Sequence, residues 1–176
     1  VHSAGARFDY EKAKWFNHEW MKFLPAQHLL APVRRILQEA GVNSTDEAYL
    51  LKVIERVKER CVLLTDFPQQ SGFFFQPPAT IDLAAIQPKW TTEKAAFFHS
   101  FMAALQTVEP WTAMGLEACF KESAAAAQLK PGDLQLPLRI MLVGGKFGPG
   151  VFDIADILGK EETIRRIEVV NSQLIG

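Results

Sequence analysis

Along most of the chain, apolar residues return every third or fourth position, the period that lines one face of an α-helix. In FDYEKAKWFNHEWMKFL, Ala13, Phe16, Trp20 and Phe23 fall at that spacing behind Asp9, a residue suited to cap the helix. Leu29, Val33, Ile36 and Leu37 mark a second stripe, which stops at Gly41, a good C-terminal glycine. Ser44 and Glu47 have the spacing of a capping box. Behind them Leu50, Val53, Ile54, Val57, Cys61 and Leu64 line one side of a third helix, which gives out near Phe67-Pro68 because a residue before proline disfavours helical geometry.

The rhythm then breaks. Residues 69–89, QQSGFFFQPPATIDLAAIQPK, hold two adjacent prolines and a glycine, leave room for one short helix, and read as a junction between two helical subdomains, 1–77 and 78–176. Beyond Trp90, Thr91 or Thr92 can cap a helix carrying Phe98, Phe101, Met102 and Leu105, and Thr112 can cap another carrying Leu116, Cys119 and Phe120. The run LQLPLRIMLVGG after the Lys130-Pro131-Gly132 turn suits either a buried helix or a strand, while VFDIADIL and KEETIRRIEVVNSQL read as two closing helices parted by Gly159. No segment shows convincing strand alternation and none repeats, so the expected class is all-α.

Composition narrows the functions open to such a fold. In 176 residues, 48% of them hydrophobic, there is enough apolar material for one well-filled core or two small ones. Nineteen basic and 20 acidic residues nearly cancel, so no global field draws in nucleic acid or an anionic membrane, and any nucleic-acid partner must meet a local patch. Cys61 and Cys119 stand far apart without metal-ligand spacing, which argues against a disulfide framework and a zinc site. No apolar run approaches the roughly 18 residues of a membrane span, and VHSAGARFDYEK lacks the apolar core of a signal peptide. A soluble, cytoplasmic monomer with no DNA or membrane partner is the expectation, and the opening Val1 suggests a processed protein or an excised fragment.

Candidate chemistry concentrates in VGGKFGPGVF, Val143 to Phe152, where four glycines surround Lys146. A P-loop would need GxxxxGK followed by Ser or Thr, but Phe147 follows the lysine, and the GxGxxG dinucleotide pattern is absent. The stretch therefore suits either a plain structural turn, with Pro149 early in a helix, or a bare backbone floor on which an unstacked base lies. On the third helix Lys52, Arg56 and Arg60 recur every fourth residue, with Arg60 beside the apolar stripe. Such a row is either a solvated face, with Glu55 and Glu59 near enough for weak pairing, or a surface presenting donors to a base or phosphate. Phe73, Phe74 and Phe75 could stack on bases but are better suited to packing the junction. The histidines show no metal spacing, and there is no GxSxG elbow, so catalysis finds no support.

Taken in order, several segments resemble one family. FDYEKAKWFNHEWM is similar to the segment that opens the anticodon-binding region of bacterial-type glutamyl-tRNA synthetases. The resemblance continues through DEAYLLKVIERVKERCVLLTDF and PWT, and is most specific in LPLRIMLVGGKFGPGVFDIADILGKEETIRRI. It implies two consecutive helical subdomains of the class I synthetase anticodon-binding cage, gripping the loop of glutamate tRNA. Arg60 would read the last anticodon letter, a cytosine, and Arg139, Gly148, Pro149, Val151 and Phe152 would contact the first, with Lys52, Arg56 and Lys146 available to phosphates. Val143 stands where the family commonly has threonine, and Val151 where it has leucine. Neither HIGH nor KMSKS occurs. The resemblance therefore implies a C-terminal piece that is inactive alone and carries no cofactor, with ATP and Mg belonging to the parent ligase's catalytic half. The alternative is a helical protein-interaction module whose aromatic faces bind another protein.

Overall fold

The computed structural model describes residues 10–174, with the side chain of Phe16 outside that description. Nine α-helices joined by short 3-10 turns make up these residues, with no strand among them. The chain divides into two compact units, the first ending at Gly72 and the second beginning at Phe73. The division falls inside the junction read from the sequence, a few residues ahead of Pro77-Pro78, because Phe73 and Phe74 are buried in the second unit.

The first unit holds α1 (Tyr10–Phe23), α2 (Ala26–Glu39), α3 (Glu47–Val57) and α4 (Phe67–Ser71). Leu29, Val33 and Leu37 of α2 are buried with Leu50, Val53, Ile54 and Val57 of α3, so both stripes mark the core. Gly41 adopts φ +83 after α2, where the Val42 N–H reaches back to the Leu37 carbonyl at 2.8 Å. Three expectations change. The cap of α3 is Asp46, whose carboxylate accepts from the Tyr49 N–H at 3.0 Å, not Ser44. The α-helix stops at Val57, and a 3-10 turn over Lys58–Arg60 carries the chain to Cys61. Phe67-Pro68 opens α4 instead of closing α3, because Phe67 buries its whole ring there and proline loses nothing in a first helical turn.

The stripe expected on α1 is also corrected. Trp20 is 65% and Phe23 82% exposed, whereas Met21 is buried. The inner face of α1 is set by His18 and Met21: the Nδ1–H of His18 donates to the Cys61 carbonyl at 3.1 Å, so the aromatics turn outward. The cap proposed at Asp9 lies outside the described residues.

The second unit contains α5 (Thr92–Leu105), α6 (Ala113–Ala126), α7 (Pro131–Val143), α8 (Val151–Leu158) and α9 (Lys160–Leu174). The side chains of Thr91 and Thr112 accept from the Lys94 and Gly115 N–H groups and so cap α5 and α6 as their sequences indicate. The core is aromatic: Phe97 stands edge-on to Phe98 and Phe120 and stacks on Phe101. The ambiguous run resolves as α7, with Pro131 in its first turn and Pro137 buried inside it. Packing against both α8 and α9 explains an apolar surface wide enough to blur its period.

Where α7 meets α9, Arg166 is 4% exposed. Its Nη1 donates to the Leu142 carbonyl at 2.7 Å and its Nε to Glu162 at 2.8 Å. Burial alone would raise the Glu162 carboxyl, but hydrogen bonds and charge from Arg165 and Arg166 outweigh it and hold the group below the usual glutamate range. A folded-state pKa lowered in this way stabilises the fold above the unfolded value and ceases to do so as pH falls through the folded one. Glu162→Gln is expected to cost about 1 kcal/mol in urea unfolding at neutral pH, and the gap to the unsubstituted chain should close below about pH 4.

Candidate nucleic-acid interface

In the second unit the glycine-rich loop begins where α7 ends, with Gly144 in left-handed geometry at φ +84. A Cβ there would collide with the Thr80 carbonyl and lie 2.8 Å from Pro78 Cβ, so this approach admits only glycine. The Asp82 N–H donates to the Gly144 carbonyl at 2.9 Å and fixes the start of the loop to the preceding segment. Phe147 then lies over Gly145 and sets its ring edge against Phe73, 6.0 Å between centroids, while staying 47% exposed.

Arg139, on α7, organises the rest. Its Nη1 lies 3.0 Å from the Phe147 carbonyl, 3.2 Å from that of Gly148 and 2.6 Å from that of Pro149. The loop thus curls around one guanidinium, with Gly148 at φ +100. Pro149 sits outside α8, which starts at Val151 with Gly150 as its cap residue. Gly148, Pro149 and Val151 are buried; Lys146 and Gly150 are exposed. Phe152 is half-buried, its ring 5.3 Å from Phe120. The surface on offer is therefore not a bare glycine floor. It is Lys146, the Phe147 ring and the backbone at Gly150, held from below by buried neighbours. An aromatic edge, a cation and backbone groups at a helix start can together receive an unstacked base and its phosphate.

Five of the sequence candidates, Arg139, Gly148, Pro149, Val151 and Phe152, thus meet in one loop and helix start, with Lys146 beside them. Trp111 steadies that helix further along: its Nε1 donates to the Ala155 carbonyl at 3.0 Å, and Lys160 Nζ stands 5.8 Å from its ring centroid.

The cations of the first unit are arranged differently from a single row. Lys52 and Arg56 are exposed on α3, but Arg60 lies in the 3-10 turn, whose tighter winding breaks the four-residue period. Arg60 is exposed, not held beside the apolar stripe. The cation held there is Lys58, 5% exposed, with Nζ 2.9 Å from the Leu24 carbonyl and 3.1 Å from Glu55. Its signal was present in the sequence, since Leu50, Ile54 and Lys58 share a four-residue spacing. Asp66 fixes the segment after Arg60, its Oδ2 accepting from the Val62 and Leu63 N–H groups at 2.9 and 2.8 Å. Burial, and secondarily the Asp66 charge, pushes the Cys61 thiol up to about 12, so it remains protonated and unreactive. Among the described residues no cluster of ligating side chains could hold a metal, and no helix is long and apolar enough to cross a membrane.

The family model for the anticodon binding domain matches residues 13–170. The chain belongs to this anticodon-binding family. Among similar proteins is a glutamate–tRNA ligase of Flavobacterium johnsoniae, 36% identical over 99% of this chain and 34% of that protein. Another is its counterpart from Porphyromonas gingivalis, 35% identical over 93% and 32%. The crystal structure of a glutamate tRNA ligase from Elizabethkingia meningosepticum in complex with its amino acid superposes with a TM-score of 0.87. It is 35% identical and is matched over 99% of this chain and 34% of that one. The chain thus spans about a third of the length of the relatives it matches.

In this anticodon-binding fold the two positive-φ glycines of the loop, Gly144 and Gly148, should differ in tolerance. Gly148→Ala meets only ordinary van der Waals neighbours, so its cost is the backbone conformation, about 1–2 kcal/mol. Gly144→Ala adds a collision with backbone and should lower the urea midpoint further, as unfolding of the two variants side by side will show.

Proposed function

We propose that this chain is the anticodon-recognition module of a glutamate–tRNA ligase and that it binds the anticodon loop of glutamate tRNA. The observation that carries this reading is the family match over residues 13–170, together with a second unit that presents an aromatic edge, a cation and backbone groups on one loop. In this reading Arg60 addresses the last anticodon letter, while the loop and Phe152 address the first. Lys52, Arg56 and Lys146 meet phosphates. ATP and Mg belong to the part of the ligase that activates glutamate, and this chain supplies binding alone. A monomer in the cytoplasm fits such a role.

The mechanism is differential binding of splayed bases. An exposed guanidinium such as that of Arg60 offers paired donors to a base edge. The near-cancelling charge of the chain implies few phosphate contacts and a shallow dependence of affinity on salt.

A second reading rests on α1. Trp15, Trp20 and Phe23, exposed by 58%, 65% and 82%, fall within an arc of about 140° of that helix. Trp20 also lines an apolar groove of about 590 Å³, with Met21, Leu24, His28, Leu29 and Leu63 among others. Such a face suits a protein partner. Mapping separates the two readings: tRNA should perturb Arg60 and the 144–152 loop, whereas a protein-interaction module would leave both unchanged while its partner protects α1.

Titration of glutamate tRNA and its anticodon variants at several salt concentrations tests the first reading. Arg60→Gln should reduce the preference for cytosine at the last letter by about 1–3 kcal/mol. An unaltered preference would leave Arg60 as part of a solvated face, and equal affinity for every anticodon would remove the recognition role.

A further inference from the structure

The family resemblance gives Arg139 the part of supplying donors to a base, yet one end of its guanidinium faces the loop's own backbone. One nitrogen, Nη1, faces the carbonyls of Phe147, Gly148 and Pro149 at 3.0, 3.2 and 2.6 Å. That nitrogen carries two hydrogens for three acceptors, so the bonds are shared and the nitrogen has nothing left to offer a ligand. To reach a base, this end of the guanidinium would have to release charge-assisted bonds to the loop, which are stronger than neutral ones.

Packing of Phe147 on Phe73 and burial of Gly148 and Pro149 also hold the loop, but its glycines leave it dependent on such contacts. Gly144, Gly145, Gly148 and Gly150 each lose more backbone freedom on ordering than another residue would. The Gly144 end is tied to Asp82 and Pro149 leads into the α8 start, and between them the carbonyls of 147–149 converge on Arg139. The cation also selects the loop's curvature. Gly148 can sit at φ +100 with its Cα 's missing Cβ directed towards Ile154, Phe73 and Arg139 itself. Phe147 and Phe152 flank this curl, packed on Phe73 and Phe120 respectively, so the curl sets the backbone from which both rings project.

We propose that Arg139 is a positioning residue: it pre-shapes the 147–150 loop that reads the first anticodon letter, and does not itself read the base. This rests on the anticodon reading above. Loop ordering then costs little at the moment of binding, and the gain appears as discrimination between bases.

Arg139→Lys keeps the charge but ends one bond short of the Nη1 position and replaces a rigid plane with a freely rotating ammonium, and Arg139→Gln removes the charge. Two measurements on each variant decide the matter: amide exchange across residues 144–152 without RNA, and affinity for tRNAs altered at the first or last letter. In both variants the loop amides should exchange about tenfold faster or more, with α5 and α9 unchanged. First-letter discrimination should fall by about tenfold while last-letter discrimination persists. Should Arg139→Gln not fold, Arg139→Lys alone supplies both readouts.

An unchanged loop in the free variants, combined with lost first-letter discrimination, would make Arg139 a direct reader and overturn the proposal. A loosened loop with discrimination intact would overturn it as well. If the unsubstituted chain itself binds every anticodon equally, the anticodon reading fails. That outcome is distinct from the other two because it needs no variant.

Discussion

Carbonyls left without helical partners at the end of α7 set the terms for the second unit. A helix that stops leaves its last carbonyls unpaired, and a glycine-rich loop adds more. Here two guanidiniums take up the task. Arg166, almost wholly buried on α9, satisfies the Leu142 carbonyl, and Arg139, one turn back along α7, gathers three carbonyls of the loop. Lysine in place of Arg166 would lack the planar fork that meets Glu162 and Leu142 at once, and in place of Arg139 would end one bond short of Nη1. At this end of the unit two cations satisfy backbone carbonyls, and what faces outward is left to Lys146, Phe147 and the backbone at Gly150.

The first unit applies the same economy to Lys58 and Asp66. Lys58 gives up exposure to meet the Leu24 carbonyl at the end of α1, and Asp66 collects two N–H groups just past the 3-10 turn. Arg60 stands between these anchors with its backbone fixed and its side chain in solvent. A rigid base beneath a free guanidinium suits recognition, because little backbone entropy is lost on contact.

Much of this was legible from residue spacing. The stripes of α2 and α3, the threonine caps of α5 and α6 and the glycine after α2 follow from local rules that tertiary contacts did not override. The misses have particular causes. Asp46 displaced Ser44 because a carboxylate is an equally good cap and sat two positions closer to the first turn. The outward aromatics of α1 could not be anticipated, since Trp, Phe and Met all satisfy a hydrophobic period and only the partner surface decides among them. At the candidate interface, sequence located the loop and its members. The inward turn of Arg139, the burial of Val151 and the role of Phe147 depend on three-dimensional convergence that spacing along the chain does not encode.

The four tryptophans divide by environment. Trp15 and Trp20 already face solvent, whereas Trp90 stacks on Phe98 and Trp111 is half-buried beneath Lys160. Intrinsic fluorescence is consequently an unequal witness to melting: the α1 indoles emit at long wavelength whether folded or not, so a red shift tracks the loosening of the second unit and is nearly blind to the first.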